Sequence, residues 1–324
     1  MAREAAGEMD ILFIKTSSLG DVIHHMPAIT DARRAFPDAR FSWVVEDAFV
    51  PLAKLHPAVS EVIPVASRRW RRALLSPRAW KEIKDFRSRL RAHTYDKVID
   101  TQGLARTGLM TKLAQGERHG YDRDSIRERL AARSYDVRHT VSRDLHAVTR
   151  NRALTALALG YTVEGPPDYG FDRAALAVVP PKPYAILLHA TAEPRKEWPE
   201  ENWVALGRAI EQRVDLLLPW GSEPERQRAE RLASQLKHAR VPIRRQLDDM
   251  ARMIAGASFV VGVDTGLLHL AAALGVPLAG IFVGSEPGLT GPVGDGPIEI
   301  IGTKGVPPGV AEAVVAVERI EAAL

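Results

Sequence analysis

A short polar segment, Lys15-Thr-Ser-Ser-Leu-Gly-Asp21, carries a carboxylate that could act as a general base. It follows the apolar run Ile11–Lys15 and precedes a stretch of helical periodicity, Asp21–Phe36. Asp21 would then lie at the carboxyl end of a strand, where it could take a proton from an attacking hydroxyl group. The competing interpretation is a helix cap, where the helix dipole would weaken Asp21 as a base. The segment lacks the glycine order of a P-loop or a dinucleotide fingerprint, which disfavours ATPases and dehydrogenases.

A second motif follows another apolar strand and opens a helix of small residues. It contains Asp264, Thr265, Gly266 and His269, in the order VDTGLLH. A helix N-terminus presents free backbone N–H groups and a positive dipole end, so it is suited to phosphate. Gly266 would allow a ligand close to the backbone, and Thr265 could add a hydroxyl donor. Alternatively, Asp264 or Thr265 only caps the helix and His269 packs in the core.

Two further loops follow predicted strands of the second half of the chain. Lys196 lies in the loop RKEWP, where its cation could neutralise a departing pyrophosphate as negative charge develops on it. Glu225 follows LPWGSEP and offers a carboxylate to ribose hydroxyls. A solvated lysine and an ordinary surface glutamate are the competing interpretations.

These residues need strands that end at a common edge. The predicted strands are Ile11–Lys15, Phe41–Glu46, Lys97–Asp100, Ala185–His189, Leu216–Pro219, Phe259–Asp264 and Leu278–Val283, with helical stretches between them. Repeated βα units predict an α/β fold with two doubly wound parallel-sheet domains, whose sites lie beyond the carboxyl ends of the strands. A proline-rich linker near Gly165–Pro183 separates domains over 1–168 and 180–307. The final residues, 308–324, predict an amphipathic helix that could pack against the first domain.

Composition narrows the possible classes of protein. The 324-residue chain has no cysteine, a polar N-terminus and no apolar run of membrane-spanning length, so we expect a cytoplasmic protein that is soluble or peripheral. Metal sites are not expected, because the histidines show no ligand spacing. The Asp122-Arg123-Asp124 triplet is set aside because nearby arginines would neutralise its carboxylates.

The charge is unevenly distributed. The net charge is only +4, yet residues 68–91 hold ten Lys or Arg against two Asp or Glu. Such a face could bind nucleic acid, an anionic membrane or a phosphorylated substrate, or could simply be solvated. Nucleic acid is disfavoured because Trp70 and Trp80 are the only large aromatic residues nearby that could stack on bases.

Five segments, in order over nearly the whole chain, resemble the lipopolysaccharide heptosyltransferase family. They are KTSSLGDVIH, RRW, DTQGLARTG, LPWG and VDTGLLHLAAALG. The resemblance implies a GT-B fold of two facing Rossmann-like domains and inverting transfer from ADP-heptose. No cofactor or obligatory metal is implied. The loop TSSLGDVIH and the basic RRW favour the first type of the family, which adds heptose to the inner Kdo sugar of Kdo2-lipid A at the cytoplasmic face of the inner membrane.

The same resemblance assigns roles to individual residues. Asp21 corresponds to the general base and Lys196 to the residue that stabilises the departing ADP phosphates. Residues that would bind the pyrophosphate, heptose or ribose of the donor are Thr191, Glu225, Asp264, Thr265, Gly266 and His269. Residues that would face the phosphates of the acceptor lipid are Arg68, Arg69 and Arg127.

The chain departs from the family pattern at Ala192, where relatives commonly have a second threonine, so we expect one hydroxyl contact to the donor to be missing. Two alternatives remain open. One is a heptosyltransferase of the second type, which adds the next heptose. The other is a nonenzymatic protein that binds a nucleotide or an anionic membrane.

Overall fold

The computed structural model describes residues 9–73, 75–178 and 181–323. The chain divides into two compact units between Gly170 and Phe171. Each unit contains one six-stranded sheet, and every strand pair in both sheets is parallel. This arrangement confirms the predicted α/β class. No helix within these ranges is long and apolar enough to cross a membrane.

The first unit has the strand order β3-β2-β1-β4-β5-β6. Its strands are β1 (Asp10–Ile14), β2 (Arg40–Glu46), β3 (Glu61–Val65), β4 (Thr94–Asp100), β5 (Gln115–Tyr121) and β6 (Val137–His139). Its α-helices are α1 (Leu19–Ala35), α2 (Val50–Ala53), α3 (Ser67–Arg72), α4 (Pro77–Leu90), α5 (Ala105–Leu113) and α6 (Ala147–Leu159), with 3-10 turns at Asp47–Phe49 and Arg129–Ser134.

The second unit repeats this topology, with the order β12-β11-β10-β7-β8-β9. Its strands are β7 (Tyr184–Leu188), β8 (Asp215–Leu217), β9 (Ala239–Arg240), β10 (Phe259–Val263), β11 (Leu278–Ile281) and β12 (Ile298–Ile301). Its α-helices are α7 (Arg173–Leu176), α8 (Glu200–Ile210), α9 (Glu223–Ala233), α10 (Leu247–Ala255), α11 (Gly266–Ala273), α12 (Pro287–Thr290) and α13 (Val310–Ala322), with a 3-10 turn at Pro194–Lys196.

Burial on both faces explains which strands the sequence predicts. Residues Ile11–Ile14 and Phe259–Val263 are buried without interruption, since helices cover both sides of each sheet. The seven predicted strands are all present. Strands β5, β6, β9 and β12 were not predicted, because they are short or contain polar residues, and β3 was not predicted although Val62–Val65 is apolar, because Pro64 is unusual within a strand.

The chain between the units is more ordered than a linker prediction implies. Arg173, at the start of α7, donates to the carbonyl oxygens of Ala255, Gly275 and Ala257 at 3.0, 3.1 and 3.1 Å. The second unit thus begins before the predicted boundary at residue 180, which, like residues 1–8 and 324, lies outside the described ranges.

The last helix belongs to the core of the second unit. Helix α13 packs on β10, β11, β12 and α8, and the possibility that it also packs against the first domain stays a prediction. Its buried residues Ala313, Ala316, Val317 and Ile320 belong to the same apolar core as Trp198. An amphipathic pattern reveals that a helix has a buried face but not which sheet covers it.

Breaking a buried ion pair in the first unit is expected to have a large effect on the free energy of unfolding. Arg152 of α6 donates to both carboxylate oxygens of Asp31 on α1, at 2.6 and 3.2 Å, and both side chains are under one-tenth exposed. Arg152 also donates to the carbonyl oxygens of Glu164 and Gly165. Replacing Arg152 with leucine leaves a buried charge unpaired, so we expect the free energy of unfolding to fall by about 3–5 kcal/mol.

Chemical denaturation measures this loss. Arg34→Gln is the matched control, because it removes a largely exposed pair with Asp168 in the same unit and should cost about 1 kcal/mol or less. Equal losses in the two variants would contradict the expectation.

Candidate active site

The strand order determines where each unit can bind a ligand. In both sheets the order reverses between two adjacent central strands, β1 and β4 in the first unit and β7 and β10 in the second. The loops beyond the carboxyl ends of such strands diverge and leave a crevice between them. The loops containing Asp21 and Asp264 both leave strands of these central pairs.

In the first unit, the loop after β1 is held by the loop after β4. The side-chain oxygen of Gln102 accepts hydrogen bonds from the backbone N–H groups of Thr16 and Ser17, at 3.0 and 3.2 Å. Gly103 adopts φ +67°, a conformation that favours glycine, as the chain turns after Gln102. Asp100 accepts from the N–H groups of both residues of this turn. The polar loop before Asp21 is therefore positioned by long-range contacts.

Asp21 fits both interpretations of its motif. It lies in the first turn of α1, and its Oδ2 atom accepts from Ser18 N at 2.9 Å, as expected of a helix cap. Its Oδ1 atom lies 3.7 Å from Lys15 Nζ, and the Asp21 side chain is 28% exposed. Lys15 is itself held by Thr101 O at 3.0 Å and Asn151 Oδ1 at 3.4 Å. One carboxylate oxygen thus anchors the helix, while the other faces a cation at the crevice.

A polar pocket of about 80 Å³ surrounds this carboxylate. It is lined by Lys15, Asp21, Thr101, Gln102, Tyr121, Arg127, Ala147, Arg150 and Asn151. The structure thereby brings the predicted acceptor-binding residue Arg127 to the same pocket as Asp21. Lys15 and Gln102 lie within the segments KTSSLGDVIH and DTQGLARTG but had no predicted role, and sequence reasoning missed Arg150 and Asn151. The contacts that bring these residues together join positions far apart along the chain and leave no local signal.

The other two predicted acceptor residues lie at a neighbouring groove. Arg68 and Arg69 are exposed on α3 and line a space of about 470 Å³ with Glu46 and Asp47. Glu46 N donates to Thr16 O at 3.1 Å, so this groove adjoins the Asp21 loop along the same edge of the sheet. Arg69 is engaged with Asp47 at 2.5 Å and Glu82 at 2.9 Å.

In the second unit, Asp264 is the centre of a charged cluster. Its Oδ2 atom lies 2.9 Å from Lys196 Nζ and accepts from Ser285, and its Oδ1 atom lies 3.7 Å from His269 Nε2. Burial alone would raise the pKa of Asp264, but hydrogen bonds from His269, Ser285 and Lys196 hold it well below its usual range. Asp264 is therefore ionised at neutral pH and holds Lys196 in the crevice.

Lys196 is not the freely solvated lysine of the competing interpretation. Its side chain is 16% exposed, and it also pairs with Glu193 at 3.1 Å. Burial would lower the pKa of Lys196, but hydrogen bonds to Asp264 and Glu193 raise it above its usual value. Lys196 thus stays protonated. Glu193 and Ser285 were not among the predicted residues, because nothing in their local sequence distinguishes them from surface residues.

The N-terminus of α11 has the geometry expected of an anion site. Helix α11 begins at Gly266, and the hydroxyl oxygen of its N-cap residue, Thr265, accepts no hydrogen bond from the first turn, so it does not cap the N–H groups there. Thr191, in the loop after β7, donates to Asp264 O at 3.2 Å. The structure therefore brings Thr191, Lys196, Asp264 and the start of α11 together.

Glu225 lies at the start of α9, which follows the neighbouring strand β8. Its carboxylate accepts from Gly221 N at 2.7 Å and is partly exposed in the first turn of α9. This hydrogen bond orders the turn and leaves capacity on the carboxylate for a further donor. Its contact with ribose stays a prediction.

The structure gives a different reason for setting the Asp122 triplet aside. Asp122 accepts from Ser125 N at 2.8 Å, from Asp124 N at 3.2 Å and from Thr140. Hydrogen bonds from Thr140 and Ser125 lower the pKa of Asp122 to about 2. Asp122 thus orders a turn, and the hydrogen bonds from Ser125, Asp124 and Thr140, not an arginine, stabilise its carboxylate. Across the described ranges, no cluster of three or more His, Asp or Glu side chains has an arrangement that could hold a metal ion.

Comparison with known proteins yields a consistent set of relatives. The model of glycosyltransferase family 9 (heptosyltransferase) matches residues 83–307. Lipopolysaccharide heptosyltransferase 1 of Pseudomonas aeruginosa is 48% identical over 290 residues, which cover 88% of this chain and 82% of that protein.

Solved structures show the same relationship. The E. coli heptosyltransferase WaaC with ADP-2-deoxy-2-fluoro heptose is 40% identical, with a TM-score of 0.86 over 98% of this chain and 100% of that chain. The E. coli ADP-heptose lps heptosyltransferase II has a TM-score of 0.78 over 97% and 99% of the two chains, but is only 19% identical. These likenesses confirm the GT-B type of fold.

Proposed function

We propose, because this chain belongs to glycosyltransferase family 9, the heptosyltransferases, that it transfers L-glycero-D-manno-heptose from ADP-heptose to the inner Kdo sugar of Kdo2-lipid A. The choice of ADP-heptose as the donor rests on the likeness, over 98% of this chain, to a heptosyltransferase solved with ADP-2-deoxy-2-fluoro heptose. The cluster of Thr191, Lys196 and Asp264 at the start of α11 supports it, since a diphosphate needs backbone N–H groups and a cation.

The chemistry follows from the two crevices. Asp21 Oδ1 takes the proton of a Kdo hydroxyl as its oxygen attacks the anomeric carbon of the heptose. The bond from that carbon to the phosphate oxygen breaks, and ADP leaves with the bonding electrons. Lys196 and the N–H groups of α11 stabilise the charge that grows on the departing phosphate. Attack opposite to the leaving group inverts the anomeric configuration.

The identity of the acceptor depends on whether the chain is a heptosyltransferase of the first or the second type. The chain is 48% identical to a heptosyltransferase of the first type but 19% identical to one of the second type. This contrast supports the inner Kdo sugar as acceptor. A nonenzymatic binding protein is disfavoured by Asp21, since binding of a nucleotide or an anion does not require a base at this position.

We further propose that the enzyme works at an anionic membrane surface and requires no cofactor. The exposed arginines of α3 and α4, with Leu75 98% exposed and Trp80 59% exposed, combine positive charge with apolar groups on one segment. Such a segment suits a peripheral contact with lipid on the cytoplasmic face of the inner membrane.

The experiment is a measurement of ADP release by the purified protein. We expect release from ADP-heptose only when Kdo2-lipid A is present, and an unchanged rate in EDTA. An acceptor that already bears one heptose is the matched control and should give no release above background. Turnover with that acceptor alone would assign the second type. Silence with both acceptors would leave a binding protein, and loss of turnover in EDTA would reveal a metal requirement.

A further inference from the structure

The pocket around Asp21 concentrates positive charge that the protein does not neutralise. Lys15, Arg127 and Arg150 line it together with only one carboxylate. In the described chain, Arg127 and Arg150 have no carboxylate within ion-pair distance, whereas Arg152 binds one directly and Arg69 binds two. An excess of cations at a small concave site favours the binding of an anion.

Arg150 is held in place without a charged partner. Its guanidinium lies 4.7 Å from the centre of the Tyr121 ring and donates to Ser125 O at 2.6 Å. Its Nε atom is buried with no hydrogen-bond partner among the described residues. A buried donor without a partner is costly, so an arginine fixed in this way is preorganised for a ligand.

Lys15 also has capacity for an anion. Its ammonium group has three donors, and the neutral oxygens of Thr101 and Asn151 take two of them. Burial lowers the pKa of Lys15, Asp21 and Asp100 oppose that effect, and Arg150 and Arg127 add to it. Burial is the main cause of the lowered pKa of Lys15, and a bound anion would oppose it as the two carboxylates do.

The pocket is large enough for the group that the cations would bind. A volume of about 80 Å³ accommodates a carboxylate group. In a sugar acid the carboxyl group is bonded to the ring, so fixing it also fixes the ring hydroxyls nearby. Asp21 lines the same pocket, which would place one of these hydroxyls against the base. A phosphate on another residue of the acceptor would not orient the attacking ring in this way.

We propose that Lys15 and Arg150, with Arg127 at the rim, form a binding site for the carboxylate of the acceptor sugar, which orients the attacking hydroxyl towards Asp21. This inference rests on the proposed function, since it assumes that the acceptor is a sugar acid. The site selects sugar acids over neutral sugars, because a neutral acceptor would leave the half-buried Arg150 without an anionic partner.

The test compares a Kdo acceptor that has a free carboxylate with its carboxamide. For the unmodified enzyme, kcat/KM should fall by about 30-fold or more on the carboxamide, the usual consequence of losing one partner of a desolvated charge pair. In Arg150→Gln, kcat/KM on the carboxylate should fall by a similar factor, and the difference between the two acceptors should shrink to a few fold. Arg150→Lys keeps the positive charge, so its kcat/KM on the carboxylate acceptor should lie between those of the unmodified enzyme and Arg150→Gln.

Arg34→Gln is the matched control, because it removes one positive charge at the far end of α1, away from the pocket. It should keep the full discrimination between acceptors. Thermal unfolding of each variant identifies any loss of fold in Arg150→Gln, and the two acceptors compared on the unmodified enzyme test the proposal independently of that variant.

Two outcomes would overturn the proposal. One is equal use of the carboxamide by the unmodified enzyme. The other is an Arg150→Gln defect that disappears when the lipid phosphates are removed from the acceptor, which would assign the pocket to phosphate. Calorimetric binding of the Kdo disaccharide and its carboxamide separates this proposal from the proposed function. Preference for the carboxylate that depends on Arg150 supports the site even if no turnover occurs, and turnover without that preference retains the function but rejects the site.

Discussion

Replacing Asp21 with asparagine is expected to reduce kcat by about 10²–10⁴-fold, the usual contribution of a positioned general base. The amide oxygen can still accept the hydrogen bond from Ser18 N that anchors α1, so the fold should be retained. What the variant loses is the basic oxygen beside Lys15, and with it the acceptor for the proton of the attacking hydroxyl. KM for the acceptor should change much less than kcat.

Single-turnover ADP release at saturating acceptor measures this effect, because it reports chemistry separately from product release. Two controls distinguish a lost base from a damaged site. ADP affinity should be unchanged, since the donor residues belong to the other unit, and the thermal midpoint should stay close to that of the unmodified protein. A kcat within a few fold of the unmodified enzyme would show that Asp21 is only a helix cap.

Replacing Lys196 with methionine is expected to reduce kcat by about 10²–10³-fold, the range measured when one preorganised donor to a developing charge is removed. The structure holds Lys196 Nζ 2.9 Å from Asp264 and 3.1 Å from Glu193, so its position is set before the donor binds. Methionine retains the length of the side chain without the charge. The substitution also removes the cation that balances the negative charge of Asp264 beside the diphosphate, so ADP should bind more weakly.

Calorimetric titration with ADP and single-turnover rates together measure the two parts of this effect. Lys237→Met is the matched control, because Lys237 is exposed at the amino end of β9, on the opposite edge of the same sheet. It should alter neither quantity by more than a few fold. If Lys196→Met weakens ADP binding but leaves kcat unchanged, Lys196 contributes to binding the donor and not to the departure of ADP.

The candidate site also shows how much of a site can be predicted from local sequence. Asp21 and Asp264 could be predicted because each follows an apolar run at the point where a strand becomes a helix, and that pattern depends only on neighbours along the chain. The same short-range patterns determined the α/β class, the buried strands and the division into two similar halves. For Lys196 and Glu225, position after a predicted strand only suggested a role, and the resemblance to a family was needed to assign it, since a loop lysine or a surface glutamate has no distinguishing local pattern.

Only the tertiary structure decided which side chains share a pocket. Gln102 holds the loop before Asp21 and Asn151 holds Lys15, across 85 or more positions of the chain, and Arg150 lines the same pocket. Such contacts depend on strand order, and the order β3-β2-β1-β4-β5-β6 arises from packing between elements that are distant along the chain. The last helix illustrates the same reason, because its amphipathic pattern determined that one face is buried, whereas packing against β11 and β12 decided where.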